Sequence, residues 1–179
     1  MKDLLKGLKV IDLSSVLAGP LTGSFLAECG ADVLKVEAPG GDVTRTWRAQ
    51  GEPTNRTSAY FASANTGKSF DTCDLKSDEG VAWLRAQLRD CDVLIQNMKW
   101  QDLERMGLMP DQLQAQFPSL VHARLIGYET DASRLAYDVV VQAETGFMSM
   151  NGHVARPPAK MPVALMDVLA SHQMRAAVL

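Results

Sequence analysis

Short apolar runs of strand length alternate with longer stretches at helical spacing through most of this chain. Leu8–Leu13 carries Val10 and Ile11 at its centre, which predicts a β-strand. Ser14–Pro20 reads as a turn and Leu21–Cys29 as a helix stopped at Gly30. Asp32–Glu37 predicts a second strand, broken by Pro39, Gly40 and Gly41. Strand, helix and strand within about 30 residues make a βαβ unit, which implies parallel strands and a right-handed crossover. Residues 42–67 are polar and without period, with Trp47, Pro53, Tyr60 and Phe61 scattered among Thr, Arg and Asn. They read as one long irregular segment, and such loops tend to be functional.

Order is expected to resume near Cys73. Ser77–Gly80 offers an N-cap hydroxyl followed by acids, and Val81, Leu84 and Leu88 continue a helix. Asp92–Ile95 predicts a strand, Asp102–Met106 and Pro110–Phe117 two short helices, and Leu120–Ile126 a further strand. Asp138–Met150 predicts one helix ending at Asn151–Gly152, and a last helix starts near Met166. Arg134 and Ala155–Lys160 mark exposed loops. This alternation implies an α/β fold, a Rossmann-like open and mostly parallel sheet with helices on both faces. The last helix reaches Leu179 through Ala176, Ala177 and Val178 with no Gly, Pro or polar cap. The expectation is that a longer protein continues past it.

Composition narrows the class without naming it. A chain of 179 residues, 46% hydrophobic and 22% charged, suits one soluble domain with a real core. A net charge of −3 gives no reason to expect nucleic-acid or membrane partners. No apolar run approaches the roughly 20 residues that span a bilayer. Residues 1–7 are charged but lack the apolar core of a signal peptide. Cys29, Cys73 and Cys91 form no CxxC, so they read as reduced, buried thiols of a cytoplasmic protein.

Among the candidates for chemistry, Asp167 stands out. It lies in an otherwise almost wholly apolar run, Met161–Met174, near a helix start, with His172 five residues on. A charge there is costly unless paired or used. Its position leaves two roles open, a helix N-terminal cap or a base or nucleophile. The first βα turn, Ser14–Pro20, falls where open α/β sheets bind ligands, though it is not GxGxxG. The amides around Gly40 and Gly41 could meet a phosphate. Glu37 is either a ribose-binding acid or a strand-end acid paired with Lys35 or Arg45. Lys99, Arg105 and Arg124 read as surface charges or phosphate ligands, His122 as a core histidine and His153 as a loop residue. No His pair has ligand spacing, so no metal site is expected.

Several blocks together resemble the class III CoA-transferases, the family of formyl-CoA transferase, carnitine CoA-transferase and α-methylacyl-CoA racemase. The blocks are Leu8–Pro20, Leu26–Asp42, Thr44–Trp47, Tyr60–Phe61, Asn65–Lys68, Leu103–Gly107, Ala136–Gly146 and Pro162–Asp167. They follow the family's order along the whole chain. The resemblance implies that Asp167 is the nucleophile, forming an aspartyl mixed anhydride and then an aspartyl-CoA thioester. It also implies that Val16, Leu17, Ala18 and Gly19 lie by the pantetheine, that Asn97 and Lys99 lie by the nucleotide, and that Arg105 binds a phosphate. Tyr60 and Tyr137 would line the pocket, with Trp47 and Lys68 near the coenzyme. Acyl-CoA would be a substrate rather than a permanently bound cofactor, exchanged with a small carboxylic acid, and the protein would be a homodimer.

The departures are specific. Asn97–Gln101 replaces the family's Asn-Phe-Arg-Pro-Gly, so that Met98 and Lys99 stand for a ring and an arginine. The family's Asn-Lys-Arg-Ser reads Gly67–Phe70 and loses an arginine. The racemase branch has His where this chain has Tyr137, which disfavours two-base proton transfer. Family members run to about twice this length, so residues 1–179 would be the N-terminal part of the large domain, without the small domain and the returning chain. A fragment that self-associates or binds CoA without turnover is the alternative reading.

Overall fold

In a computed structural model, which describes residues 3–129, 131 and 134–179, the central strands are buried on both faces. The first two residues of the charged N-terminal stretch lie outside the described residues. Five strands, β1 (Lys9–Asp12), β2 (Asp32–Glu37), β3 (Ser69–Thr72), β4 (Val93–Gln96) and β5 (Val121–Arg124), pair in parallel in the order β3-β2-β1-β4-β5. The register sets Val33, Val10, Val93 and Val121 in one row across four strands. Side chains alternate across a sheet. Val10, Val33, Val93 and Ile95 therefore enter one core, with Leu26 and Met174. Ile11, Leu94 and Val36 enter the other, with Leu84, Leu88, Leu103 and Met106. Residues with cores on both sides read as apolar runs, which is why β1 and β4 are legible in the sequence, and β2 too despite Lys35 within it.

The helices are α1 (Ala18–Glu28), α2 (Ala59–Ala64), α3 (Asp78–Leu88), α4 (Trp100–Met106), α5 (Pro110–Gln116), α6 (Asp138–Glu144), α7 (Phe147–Met150) and α8 (Leu165–Val178). Ser77 caps α3 through its hydroxyl, which accepts from the Gly80 amide at 3.0 Å. α8 lies against α1, where Thr22 and Ser171 are fully buried and their hydroxyls meet at 3.2 Å. Arg175 locks the pair, donating to the Leu21 carbonyl at 3.1 Å and stacking 4.8 Å from the Phe25 ring centre. The C-terminal third thus folds back onto the first helix and places its N-terminus by the carboxyl ends of the strands.

Five expectations need correction. The helix expected from Leu21 starts at Ala18, because Pro20, without an N–H, fits a first turn whose amides have no helical acceptor. Residues 42–67 are not wholly irregular. They hold a 3₁₀ turn, Val43–Thr46, and the helix α2. No strand was expected before Cys73, yet β3 forms there. All four of its residues are exposed, so its pattern carries no burial signal. The single helix expected over Asp138–Met150 is two, parted at Gly146, whose φ of 83° a helix cannot continue. Of the cysteines, Cys29 and Cys91 are buried but Cys73 only in part. Burial pushes the Cys91 thiol up to about 11.

Candidate active site

The carboxyl ends of β1, β2 and β4 turn polar inside the protein, with Asp12, Lys35, Glu37 and Gln96 all buried. Each is accounted for by a partner. Lys68 donates to Asp12 at 2.7 Å and has three more oxygens, of Pro20, Ala64 and Asn65, within 3.2 Å. Burial alone would raise the Asp12 carboxyl. The Lys68 and Lys35 ammonium groups and the Lys68 and Ser14 hydrogen bonds outweigh it and hold Asp12 below the usual carboxylate range. Burial pulls the Lys68 ammonium down as well, but four surrounding oxygens keep the pair charged. Lys35 donates to the Ser14 carbonyl at 2.6 Å and pairs with Asp42 at 3.2 Å. Glu37 is held by both arms of Arg45, at 2.7 and 2.6 Å. The pairing reading of Glu37 is the one the geometry supports, while Lys68, expected near the coenzyme, has its side chain fully buried against Asp12.

This polar layer shapes the first βα turn at the point where strand order reverses, between β1 and β4. The Ser15 amide donates to the Asn97 side chain at 3.0 Å, and Asn97 returns a bond to the Ser15 carbonyl at 2.9 Å. Val16 has φ 73°, a region that costs a β-branched residue about 1–3 kcal/mol. Its amide meets Asp42 at 3.3 Å. Gly19 is required, since a Cβ there would lie 2.3 Å from the Ser14 Cβ. Leu17 opens α1 with no side-chain cap, so the first-turn amides of Ala18 and Gly19 have no capping side chain.

Asp167 lies in the first turn of α8 and is half-buried. Among the described residues, no donor reaches its carboxylate. Burial, with the neighbouring Asp138 charge, pushes it up to about 6. Asp138, the first residue of α6, supplies the cap that Ala164 lacks. It accepts from the Met166 amide at 2.7 Å and, at 3.4 Å, from that of Asp167. Tyr60 lies near enough to this end of α8 to feel its charges. Its phenol is raised by burial and then by the charges of Asp167, Asp138 and Asp42. Trp47 lies edge-on to Tyr60, with ring centres 5.1 Å apart.

The structure therefore gathers Val16, Leu17, Ala18, Gly19, Asn97, Tyr60 and Asp167 around one end of the sheet. Tyr137, 62% exposed, precedes Asp138. Lys99 is exposed at the start of α4. Arg105 faces away from Asp167's helix, donating to the carbonyls of Leu75 and Lys76. Arg124 stacks on Trp100 at 4.5 Å. His122 lies within hydrogen-bond distance of Gln96, 3.1 Å, and His153 is exposed. Two open cavities, about 270 Å³ beside Asn151 and Arg156 and about 450 Å³ beside Glu37 and Arg45, are not lined by Asp167. Sequence reasoning missed the site roles of Asp42, Asp138 and Gln142. Asp138 had a signal, since it opens the apolar run Val139–Val141 as Asp167 interrupts another. Asp42 and Gln142 had none.

Known proteins resemble the chain over most of its length. The chain is 41% identical over 177 residues to the succinate–glutarate CoA-transferase of Agrobacterium fabrum, covering 93% of this chain and 44% of that one. It is 35% identical over 156 residues to the formyl-CoA:oxalate CoA-transferase of Streptomyces coelicolor, covering 86% and 38%. The crystal structure of a CAIB/BAIF family protein from Brucella suis superposes with a TM-score of 0.90 at 36% identity, covering 99% of this chain and 48% of that one. Rv3272 from Mycobacterium tuberculosis gives 0.88 at 33%, covering 98% and 50%. The chain spans half or less of the length of each. The profile described as CoA-transferase family III matches residues 5–179, and the chain belongs to that family.

Proposed function

We propose that the protein moves coenzyme A from an acyl-CoA thioester to a carboxylic acid, with Asp167 as nucleophile and residues 1–179 as the N-terminal part of the large domain. The observation that carries this is the Asp167 carboxylate, half-buried, without a donor and pushed up to about 6. Such a group is ionised at neutral pH yet more nucleophilic than an ordinary carboxylate. It attacks the thioester carbonyl, forming an acyl–aspartyl anhydride and expelling CoA thiolate. The thiolate attacks the aspartyl carbonyl, which gives an aspartyl-CoA thioester and frees the first acid. The acceptor carboxylate attacks that thioester and expels thiolate again. The thiolate attacks the acyl carbonyl of the second anhydride, which releases new acyl-CoA and restores Asp167. No proton is gained or lost in the cycle.

The amides of Ala18 and Gly19 are the donors best suited to the developing oxyanions, being buried and uncapped. Asn97 and the strained Val16 fix the turn that carries them. Relatives named for succinate, glutarate and oxalate make small dicarboxylic acids the acceptors to assay first. The test is mass spectrometry after incubation with succinyl-CoA and hydroxylamine. A hydroxamate on the peptide that carries Asp167, dependent on succinyl-CoA, is the expected result. Exchange without that adduct overturns the assignment, and neither exchange nor adduct leaves a fragment that does not turn over.

A further inference from the structure

Among the described residues, Asp138 is the negative group that acts on the Asp167 carboxylate, and its two oxygens are aimed by different partners. One accepts the Met166 amide at 2.7 Å and the Asp167 amide at 3.4 Å. The other accepts from Gln142 at 2.5 Å. Gln142 is buried and in turn holds the segment before α8, accepting from the Met161 amide at 2.8 Å and donating to the Val163 carbonyl at 3.3 Å. These bonds tie α6 to the start of α8 across 28 residues of sequence.

Resting on the nucleophile assignment above, we propose that Asp138 is a positioning residue for Asp167. It occupies the amides that open α8 and lays a second negative charge beside the nucleophile, so that the Asp167 carboxylate stays undonated and free to attack. An aspartate in the first turn of a helix ordinarily gains from the free amides and the helix dipole, which make it a weaker base. Here an outside carboxylate has taken that place. The geometry converts a natural cap position into a reactive one.

The charges around Asp167 bear this out. α1 faces α8 with Leu21, Thr22 and Phe25, and its Glu28 acts on Arg175 rather than on the first turn. β5 turns Ala123 toward α8, and its His122 and Arg124 lie on the opposite face of the sheet, engaged by Gln96 and Trp100. α2 presents Tyr60, itself raised by burial and by Asp167, Asp138 and Asp42. His172 and Arg175 lie further along α8, one and two turns beyond the nucleophile. Burial and Asp138 together account for the direction in which Asp167 is shifted.

The test reads Asp167 directly, by a carbon-detected titration of aspartate carboxyl groups in the full chain labelled with ¹³C. In the unmodified protein the Asp138 carbon senses the Asp167 titration. Asp138→Asn keeps an oxygen for the Met166 amide and removes the charge. Asp138→Ser does the same with a smaller group and serves if the asparagine amide opposes Gln142. In either folded variant the Asp167 midpoint falls by about one pH unit. Capture of the acyl group from succinyl-CoA at pH 7 slows by on the order of tenfold to a hundredfold, with succinyl-CoA affinity unchanged. An unmoved midpoint in a folded variant, or an Asp138 carbon blind to the Asp167 titration in the unmodified chain, overturns the proposal. A midpoint that moves in a protein whose exchange proceeds without an adduct on Asp167 defeats the nucleophile reading and leaves Asp138 setting the state of the Asp167 carboxylate.

Discussion

Two aspartates, Asp12 and Asp167, sit within the same end of the fold and are opposites. Asp12 is fully buried and has Lys68 at 2.7 Å with Lys35 close by, and is held below the usual carboxylate range. Asp167 is only half-buried, has no cation beside it among the described residues, faces another carboxylate and is pushed up to about 6. Burial opposes charge in both, and the neighbour decides the outcome. A buried carboxylate with its counter-charge shapes structure. One kept from any counter-charge is available for chemistry, at some cost to the fold.

The largest break of this contrast is Asp167→Ala, which removes the group that would form the covalent bond. CoA exchange between succinyl-CoA and glutarate is expected to fall by on the order of 10³-fold or more, with the fold intact by circular dichroism. Next is Lys68→Met, which leaves Asp12 charged and alone. A loss of about 3–5 kcal/mol is expected in urea unfolding, and adding Asp12→Asn should restore part of it.

The pH dependences should run in opposite directions. On the proposed mechanism, in which only ionised Asp167 attacks, the exchange rate should climb as pH rises through about 6 and fall about tenfold for each pH unit below it. For stability, the depressed Asp12 contributes above its unfolded value and that contribution is lost as pH falls through its folded one. Asp167, with its folded value raised, costs stability that sets in as pH rises from about 4 to about 6. The smallest expected effect follows. Asp167→Asn should match the parent near pH 4 and exceed it by about 1 kcal/mol at pH 7, allowing for its partial contact with solvent.

The parts of the fold that two cores bury were legible in the sequence, since β1, β2 and β4 need apolar residues on both faces. The edge strand β3 was not, because its residues Ser69–Thr72 answer only to backbone pairing with β2. Asp167 was legible as a charge in an apolar run. Its freedom was not, because the carboxylate that takes its cap comes from α6, 29 residues earlier. Lys68 misled for the same reason. The resemblance put it near the coenzyme, and only the fold shows that its ammonium is paired with Asp12. The family resemblance suggested Asp167, and the geometry adds that its carboxylate is half-buried beside Asp138.

The reciprocal bonds between Ser15 and Asn97 bind one loop to the neighbouring strand much as a pair of complementary bases holds two strands. An arriving coenzyme would find that loop already rigid, so its binding energy would not be diverted into ordering it. Anything that shifts β4 would in turn carry the amides of Ala18 and Gly19 with it. Damage far out along that strand would then surface as slowed chemistry before it surfaced as weakened binding.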